Sequence, residues 1–356
     1  MKAPIIVKIG SQIILECLAG SDQDIPCSAI QQLLTTAHEI SQSGQPVILV
    51  VSGAVGTGKR ETDLQSNQAR AARGQLVLTT KLASFTPPHM KTALLLLSRE
   101  DVVNRKRYLS LQETFADLIQ AGIVPIVNEN DATTIKGKND FPDNDHLAAI
   151  LSITLNASRL FLLTDVDGVY SANPKEAGAE LFTEIANVNA ELLQVTSGKG
   201  SSISRGGMLG KLQAARLATA SGITTHIING NFPERISKIL EGTPFGTVCL
   251  PRTHRGVELT NRERWLMSAK GSDGTIQLDE GASQAVLKRK SLLAVGVKKV
   301  YGSFDEGDSV EIIDHANETI AIGLVKQNSQ QLLELTTTIE KPYGVEIVHA
   351  DDIILI

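Results

Sequence analysis

Ile123-Val124-Pro125-Ile126-Val127-Asn128-Glu129-Asn130-Asp131 passes from five apolar residues straight into four polar ones. A run that is apolar throughout, rather than alternating, reads as a strand covered on both faces, as in a parallel sheet between helical layers. Four polar side chains at the end of such a strand are costly to bury without partners. They therefore mark the place where the sheet opens onto something polar. A hydrated loop is the plainer reading of the same residues.

The same texture recurs outward from this stretch. Aliphatic runs at 5–9, 47–51, 92–97, 160–163 and 225–228 alternate with segments of helical period near 28–43, 68–83, 108–121, 145–155 and 209–221. Alternation of this kind predicts a mostly parallel sheet sandwiched between helical layers, a three-layer α/β/α domain over 1–255. After Pro251 the texture changes. Residues 256–272 read as a polar, basic linker, with the lone tryptophan, Trp265, packing it onto a domain. From 273 to 350, short strand-like pieces separated by turns predict a small β-rich second domain.

Bulk properties exclude several classes. A formal charge of -5 with a pI near 5.9 gives no electrostatic reason for binding nucleic acid or anionic membrane. Residues 273–350 hold seven Lys/Arg against twelve Asp/Glu, a poor footprint for a phosphate backbone, so RNA binding is not expected. No apolar run reaches the ~18–20 residues of a membrane span, and nothing at the N-terminus resembles a signal peptide, so a soluble cytoplasmic protein is expected. Cys17, Cys27 and Cys249 are too scattered for a disulfide framework or a metal knuckle and read as reduced thiols. The seven histidines show no metal spacing, and no protein residue is assigned to a metal.

Five further clusters carry chemistry. Lys8 closes the first strand beside Gly10-Ser11, where open α/β sheets bind anions, although a lysine can also merely cap a strand. Ser52 to Arg60 nearly matches a P-loop, with Gly53 and Gly58-Lys59 in register. Arg60, however, stands where a magnesium-binding hydroxyl is needed, so a P-loop is rejected. What remains is a glycine-rich turn whose N–H groups and Ser52 hydroxyl suit a carboxylate or phosphate. Asp143-Asn144-Asp145 opens a helix thirteen residues after Asn130, and with 128–131 suggests a ligand carrying both ammonium and carboxylate groups. Thr164 and Asp165 end another strand, placed for a nucleotide. The Gly/Ser stretch 201–211, with Arg205, Gly206, Gly207, Met208, Leu209, Gly210 and Lys211, feeds a helix N-terminus and reads as a phosphate cradle or a surface loop. Two lysines at separate element ends suit phosphoryl transfer, which needs positioned positive charge and little covalent work.

In this order, 7–11, 52–54, 128–131, 143–145, 164–170 and 206–211 resemble the amino acid kinase family, in the branch that phosphorylates glutamate. Gly74-Gln75 and 105–109 add to the likeness, and the tail is similar to the PUA domain that many bacterial members carry. The resemblance implies the amino acid kinase fold and ATP-dependent, magnesium-assisted phosphorylation of the L-glutamate γ-carboxylate, the first step toward proline. It implies that Lys8 and Lys211 stabilise the moving phosphoryl group and that Asp145 orients them. Ser52, Asp131 and Asn144 would bind glutamate; Lys8, Thr164, Asp165 and 205–211 would bind ATP. Feedback inhibition by proline, a homo-dimer or tetramer, and transfer of product to the next reductase are implied as well. Four positions depart from the pattern. Arg205 and Gly210 stand where threonine is usual, Pro142 where glycine is, and Ala148 where serine is. Each lost hydroxyl would forfeit a hydrogen bond of about 0.5–1.5 kcal/mol, and the Arg205 charge is expected to offset part of this at the phosphates. Other kinases of the same fold, acting on aspartate, acetylglutamate, carbamate or UMP, are the nearest alternatives; a regulatory RNA-binding protein retaining an inactive kinase domain is a more distant one.

Overall fold

The computed structural model describes residues 2–19, 28–134, 140–176, 178–189, 192–193, 207–251, 259–268, 274–337 and 344–355. The chain forms two compact units, Met1–Arg252 and Thr253–Ile356.

In the first unit, β1 (Ile5–Lys8) leads to α1 (Ser11–Ala19) and α2 (Ser28–Gln42), then β2 (Val47–Val50), α3 (Ala54–Glu61) and α4 (Asn67–Phe85). Next come β3 (Lys91–Leu97), α5 (Glu100–Val103), α6 (Arg105–Gln120), β4 (Ile123–Glu129), α7 (Asn144–Thr154) and β5 (Arg159–Thr164). After the short strands β6 (Val169–Tyr170), β7 (Leu181–Phe182) and β8 (Glu184–Ile185) follow α8 (Gly207–Ala220), β9 (Thr224–Asn229), α9 (Arg235–Leu240) and β10 (Thr247–Cys249). Eight strands make one sheet in the order β3-β4-β2-β1-β5-β9-β10-β8. Every pairing in it is parallel except β10 with β9.

Strand periodicity sorts the side chains into two layers. Ile5 and Val7 join a core with Leu33 and Leu34 of α2 and Leu78 and Leu82 of α4. On the opposite face, α7 packs against β1 and β5 and is itself covered by α8. That double cover explains why α7 is buried continuously from Leu147 to Thr154. It also sets the side-chain parity of β1, which sends Lys8 toward the α7 layer.

Residues 52–60, expected to form a glycine-rich turn, are a turn only at Ser52-Gly53. Gly53 takes a left-handed φ of 99° and α3 begins at once. Gly58 and Gly74 then serve packing: a Cβ on Gly58 would lie 1.9 Å from the Arg70 carbonyl oxygen, and one on Gly74 1.9 Å from that of Ala54. These glycines let α3 and α4 cross backbone to backbone. The cysteine expectation is also corrected, because Cys17 is disulfide-bonded while Cys249 is a free buried thiol. Three scattered cysteines carry no spacing signal that separates those states.

The second unit has a five-stranded sheet, β13-β11-β14-β15-β17, built from β11 (Thr275–Leu278), β13 (Val297–Tyr301), β14 (Ser309–Ile313), β15 (Thr319–Leu324) and β17 (Ile353–Leu355). β12 (Leu292–Leu293) pairs with β16 (Glu346–Val348). Between β12 and β13 lies a 3-10 turn at Ala294–Gly296. Helices at Asn261–Ser268, Glu280–Leu287 and Ser329–Thr337 complete this unit. The first lies in the stretch read as linker. It buries Leu266 and Met267, and the Leu266 carbonyl accepts a hydrogen bond from Ser309 Oγ. No helix among the described residues is long and apolar enough to cross a membrane.

Candidate active site

Parallel strands deliver their carboxyl ends to one edge of the sheet, and a cavity of about 760 Å³ opens there. Four helices present their N-termini to it: Gly10-Ser11 before α1, Gly53 before α3, Asp143-Asn144 at α7 and Gly207 at α8. Helix N-termini carry unpaired N–H groups and the positive end of the dipole, so four together favour an anionic occupant.

Lys8 from β1, Asp145 from the first turn of α7 and Lys211 from the first turns of α8 meet in the cavity wall. Lys8 Nζ lies 2.8 Å from Asp145 Oδ1 and Lys211 Nζ 3.0 Å from Asp145 Oδ2. All three are almost wholly buried, at 5%, 6% and 4% exposure for Lys8, Lys211 and Asp145. Burial pushes the Lys8 ammonium below its ordinary pKa and the nearby Lys211 charge pushes it further, against the opposing pull of Asp145. Two lysines share the Asp145 carboxylate in a nearly dry wall, and Asp143 is a further negative charge acting on Lys8. Their ammonium groups supply positioned positive charge for an anionic occupant.

Asp143 caps α7, accepting from the His146 backbone N–H at 2.8 Å. Burial pushes its carboxyl up, but the His146 ring and backbone N–H, with the Lys8 charge, outweigh that and hold it down to about 2. Gly210 of α8 fits against it, since a Cβ there would sit 2.4 Å from Asp143 Oδ2. The departure from threonine at 210 thus coincides with close seating of α8 on the α7 cap.

Ser52, Asp131, Asn144, Thr164 and Asp165 all line the same cavity, with Thr164 Oγ1 donating to Asp165 Oδ1 at 3.1 Å. Phe141 is held to the end of β4 by Glu129, whose Oε1 accepts from the Phe141 N–H at 3.2 Å. Of the stretch 205–211, Gly207 and Lys211 line the cavity, four residues apart on one helical face. Met208 and Gly210 are buried and Leu209 half-buried, and these three do not line it. Arg205 and Gly206 lie outside the described residues. Pro142 also lines the cavity, whereas Ala148 is fully buried in α7. Sequence reasoning gave no role to Gln75, which is hydrogen-bonded to Asn128 at 2.7 Å. No spacing signal links residues 53 positions apart. Asp167 is structural: it accepts from Asn229 and Arg235.

The arrangement is that of a phosphotransferase: cations and helix N-termini gathered at the carboxyl edge of a three-layer α/β/α fold. Residues 3–229 match the model of the Amino acid kinase family and residues 274–342 that of the PUA domain. The chain belongs to the amino acid kinase family and carries a C-terminal PUA domain. Among its relatives, the Glutamate 5-kinase of Nostoc punctiforme is 37% identical over 374 aligned positions, covering 100% of both chains. Those of a Cyanothece species and of Syntrophotalea carbinolica are 36% and 34% identical, over 100% and 99% of this chain and 100% and 96% of theirs. The protein is an enzyme with the kinase chemistry of this family, acting on an amino acid.

Proposed function

We propose that the amino acid is L-glutamate and that the enzyme transfers the γ-phosphoryl group of ATP to its γ-carboxylate, as a cytoplasmic enzyme of proline biosynthesis. The observation that carries this reading is the Lys8–Asp145–Lys211 bridge in the wall of a cavity that Ser52, Asp131 and Asn144 also line. Full-length similarity to proteins named Glutamate 5-kinase supports the choice of substrate.

The chemistry asks little of the protein beyond placement. A carboxylate is already ionised at neutral pH, so its oxygen attacks the γ-phosphorus without a general base, and the bond to the β-phosphate oxygen breaks as ADP leaves. Lys8 and Lys211 neutralise charge on the transferring group, while Asp145 fixes both ammonium groups. Ser52, Asp131 and Asn144 hold glutamate. Thr164, Asp165, Gly207 and Lys211, which line the cavity, hold ATP, with the N-terminus of α8 facing its phosphates.

Magnesium is expected to arrive on the ATP phosphates. Among the described residues no group of three His, Cys, Asp or Glu is placed to hold a metal. The donor set still fits, because magnesium is usually held by one or two carboxylates together with phosphates and water. Asp143 and Asp165 line the cavity, and Asp143, with its pKa held to about 2, is ionised at neutral pH. Bound there, the cation would screen the phosphate charge. Feedback inhibition by proline, assembly into dimers or tetramers, and delivery of the acyl phosphate to a reductase belong to the same proposal.

The test is ADP release measured across L-glutamate, L-aspartate, N-acetyl-L-glutamate, carbamate and UMP. Turnover with glutamate at least about tenfold above the others in kcat/KM is expected. A larger value for any other acceptor would overturn the substrate assignment.

A further inference from the structure

The Val51 carbonyl can only accept a hydrogen bond, and it lies 2.6 Å from the side-chain nitrogen of Asn144. That contact fixes which way the Asn144 amide faces. Its second N–H goes to Asn128 Oδ1 at 2.7 Å. The polarity of Asn128 is set independently, because the same Oδ1 accepts from the Glu129 backbone N–H at 3.0 Å. Asn128 Nδ2 then donates to Gln75 Oε1 at 2.7 Å, and Gln75 Nε2 to Thr79 Oγ1 at 3.2 Å. The Thr79 hydroxyl closes the chain on the Gln75 carbonyl at 2.7 Å.

Both Asn144 hydrogens are therefore spent inside the protein. Its Oδ1 receives no hydrogen bond from the described residues, and Asn144 lines the cavity. An amide held this way is an acceptor only. Rotating it would set two acceptor oxygens against each other at the Val51 contact.

We propose that Gln75, which does not line the cavity, is a positioning residue that acts through Asn128. It holds Asn144 so that Oδ1 receives the α-ammonium of the amino acid substrate. This rests on the reading of the cavity as an amino acid site. Asn128 is fully buried, so removing the Gln75 acceptor leaves its Nδ2 unpaired, a costly state that Asn128 relieves by shifting. Asn144 then loses one of its two anchors.

The experiment compares wild type with Gln75→Leu and Gln75→Glu in steady-state kinetics, together with inhibition by glutarate, which is glutamate without its ammonium. Gln75→Leu is expected to raise KM for glutamate about three- to tenfold, the worth of one hydrogen bond. In that variant kcat stays within about twofold, and KM for ATP and inhibition by glutarate do not change. Gln75→Glu, which keeps the acceptor, restores the wild-type KM. An unchanged KM for glutamate in the Leu variant overturns the inference. So does a rise shared by ATP or glutarate, because that is the mark of general structural damage. If the Leu variant does not fold, Gln75→Met gives the same comparison with an unbranched side chain. If wild type turns over a different amino acid, the substrate assignment has failed separately. The same comparison with that amino acid and its deaminated analogue then decides on Gln75 by the same criteria.

Discussion

Asp145 gives one oxygen to each of two lysines, Oδ1 to Lys8 at 2.8 Å and Oδ2 to Lys211 at 3.0 Å. The lysines come from the first strand and from a helix about two hundred residues later, so this carboxylate joins two segments distant in sequence at one point. Asp145→Asn keeps the shape and removes the charge, leaving two buried ammonium groups facing each other. Loss of one partner from a buried pair costs about 3–5 kcal/mol. A fall of that order in unfolding free energy is expected by urea titration, with kcat reduced at least about a hundredfold.

The alkaline limb of the rate profile reports on Lys8. Burial holds its pKa below the ordinary 10.5, so it loses its proton at a lower pH than a free lysine does. Activity should fall on the alkaline side below pH 10.5, and Lys8→Arg should move that limb upward, because guanidinium stays charged. Stability runs the other way. Between the folded and unfolded values the unfolded chain binds more protons, so the Lys8 contribution becomes more favourable as pH rises. Opposite slopes of kcat and unfolding free energy with pH are the signature; parallel slopes would remove Lys8 from the account.

Asp143→Ala removes a helix cap and should cost about 1 kcal/mol at pH 7. The native pKa of about 2 lies below the ordinary 3.8, so the stabilisation is complete above 3.8 and is lost as pH falls toward 2. The stability gap between wild type and variant should therefore close across that window in acid denaturation followed by circular dichroism.

Gly74→Ala should cost about 1–3 kcal/mol through overpacking, since its Cβ would meet the Ala54 carbonyl oxygen at 1.9 Å. Ala54 follows Ser52-Gly53 at the cavity, so KM for the amino acid should rise along with the loss of stability. Thermal melting and steady-state kinetics check both.

The β1, β2, β4 and β5 strands were legible because their residues are apolar on both faces. Once those strands lie in parallel, the polar residues that follow them share an edge, so Lys8 and Thr164 were legible as strand-end residues, whereas the grouping of Ser52 and Asp131 with them rested on the family resemblance. α3 was not legible: Gly56 and Gly58 argue against a helix by propensity, and close packing on α4 overrides them. β8 and β10 are only 2 and 3 residues long, too short to show a period. The role of Gln75 was hidden because an amide chain leaves no spacing signature. Met208, Leu209 and Gly210 were grouped with Lys211 by contiguity, whereas helical geometry brings Gly207 and Lys211 to the cavity.

The central claim is a γ-phosphoryl transfer to a carboxylate governed by the lysine pair. Purified enzyme is incubated with ATP, magnesium, L-glutamate and hydroxylamine, which traps an acyl phosphate as its hydroxamate, beside a Lys211→Ala control. The account predicts glutamate-dependent hydroxamate that falls at least about a hundredfold in the variant. ADP release without hydroxamate, or hydroxamate undiminished by Lys211→Ala, would contradict it.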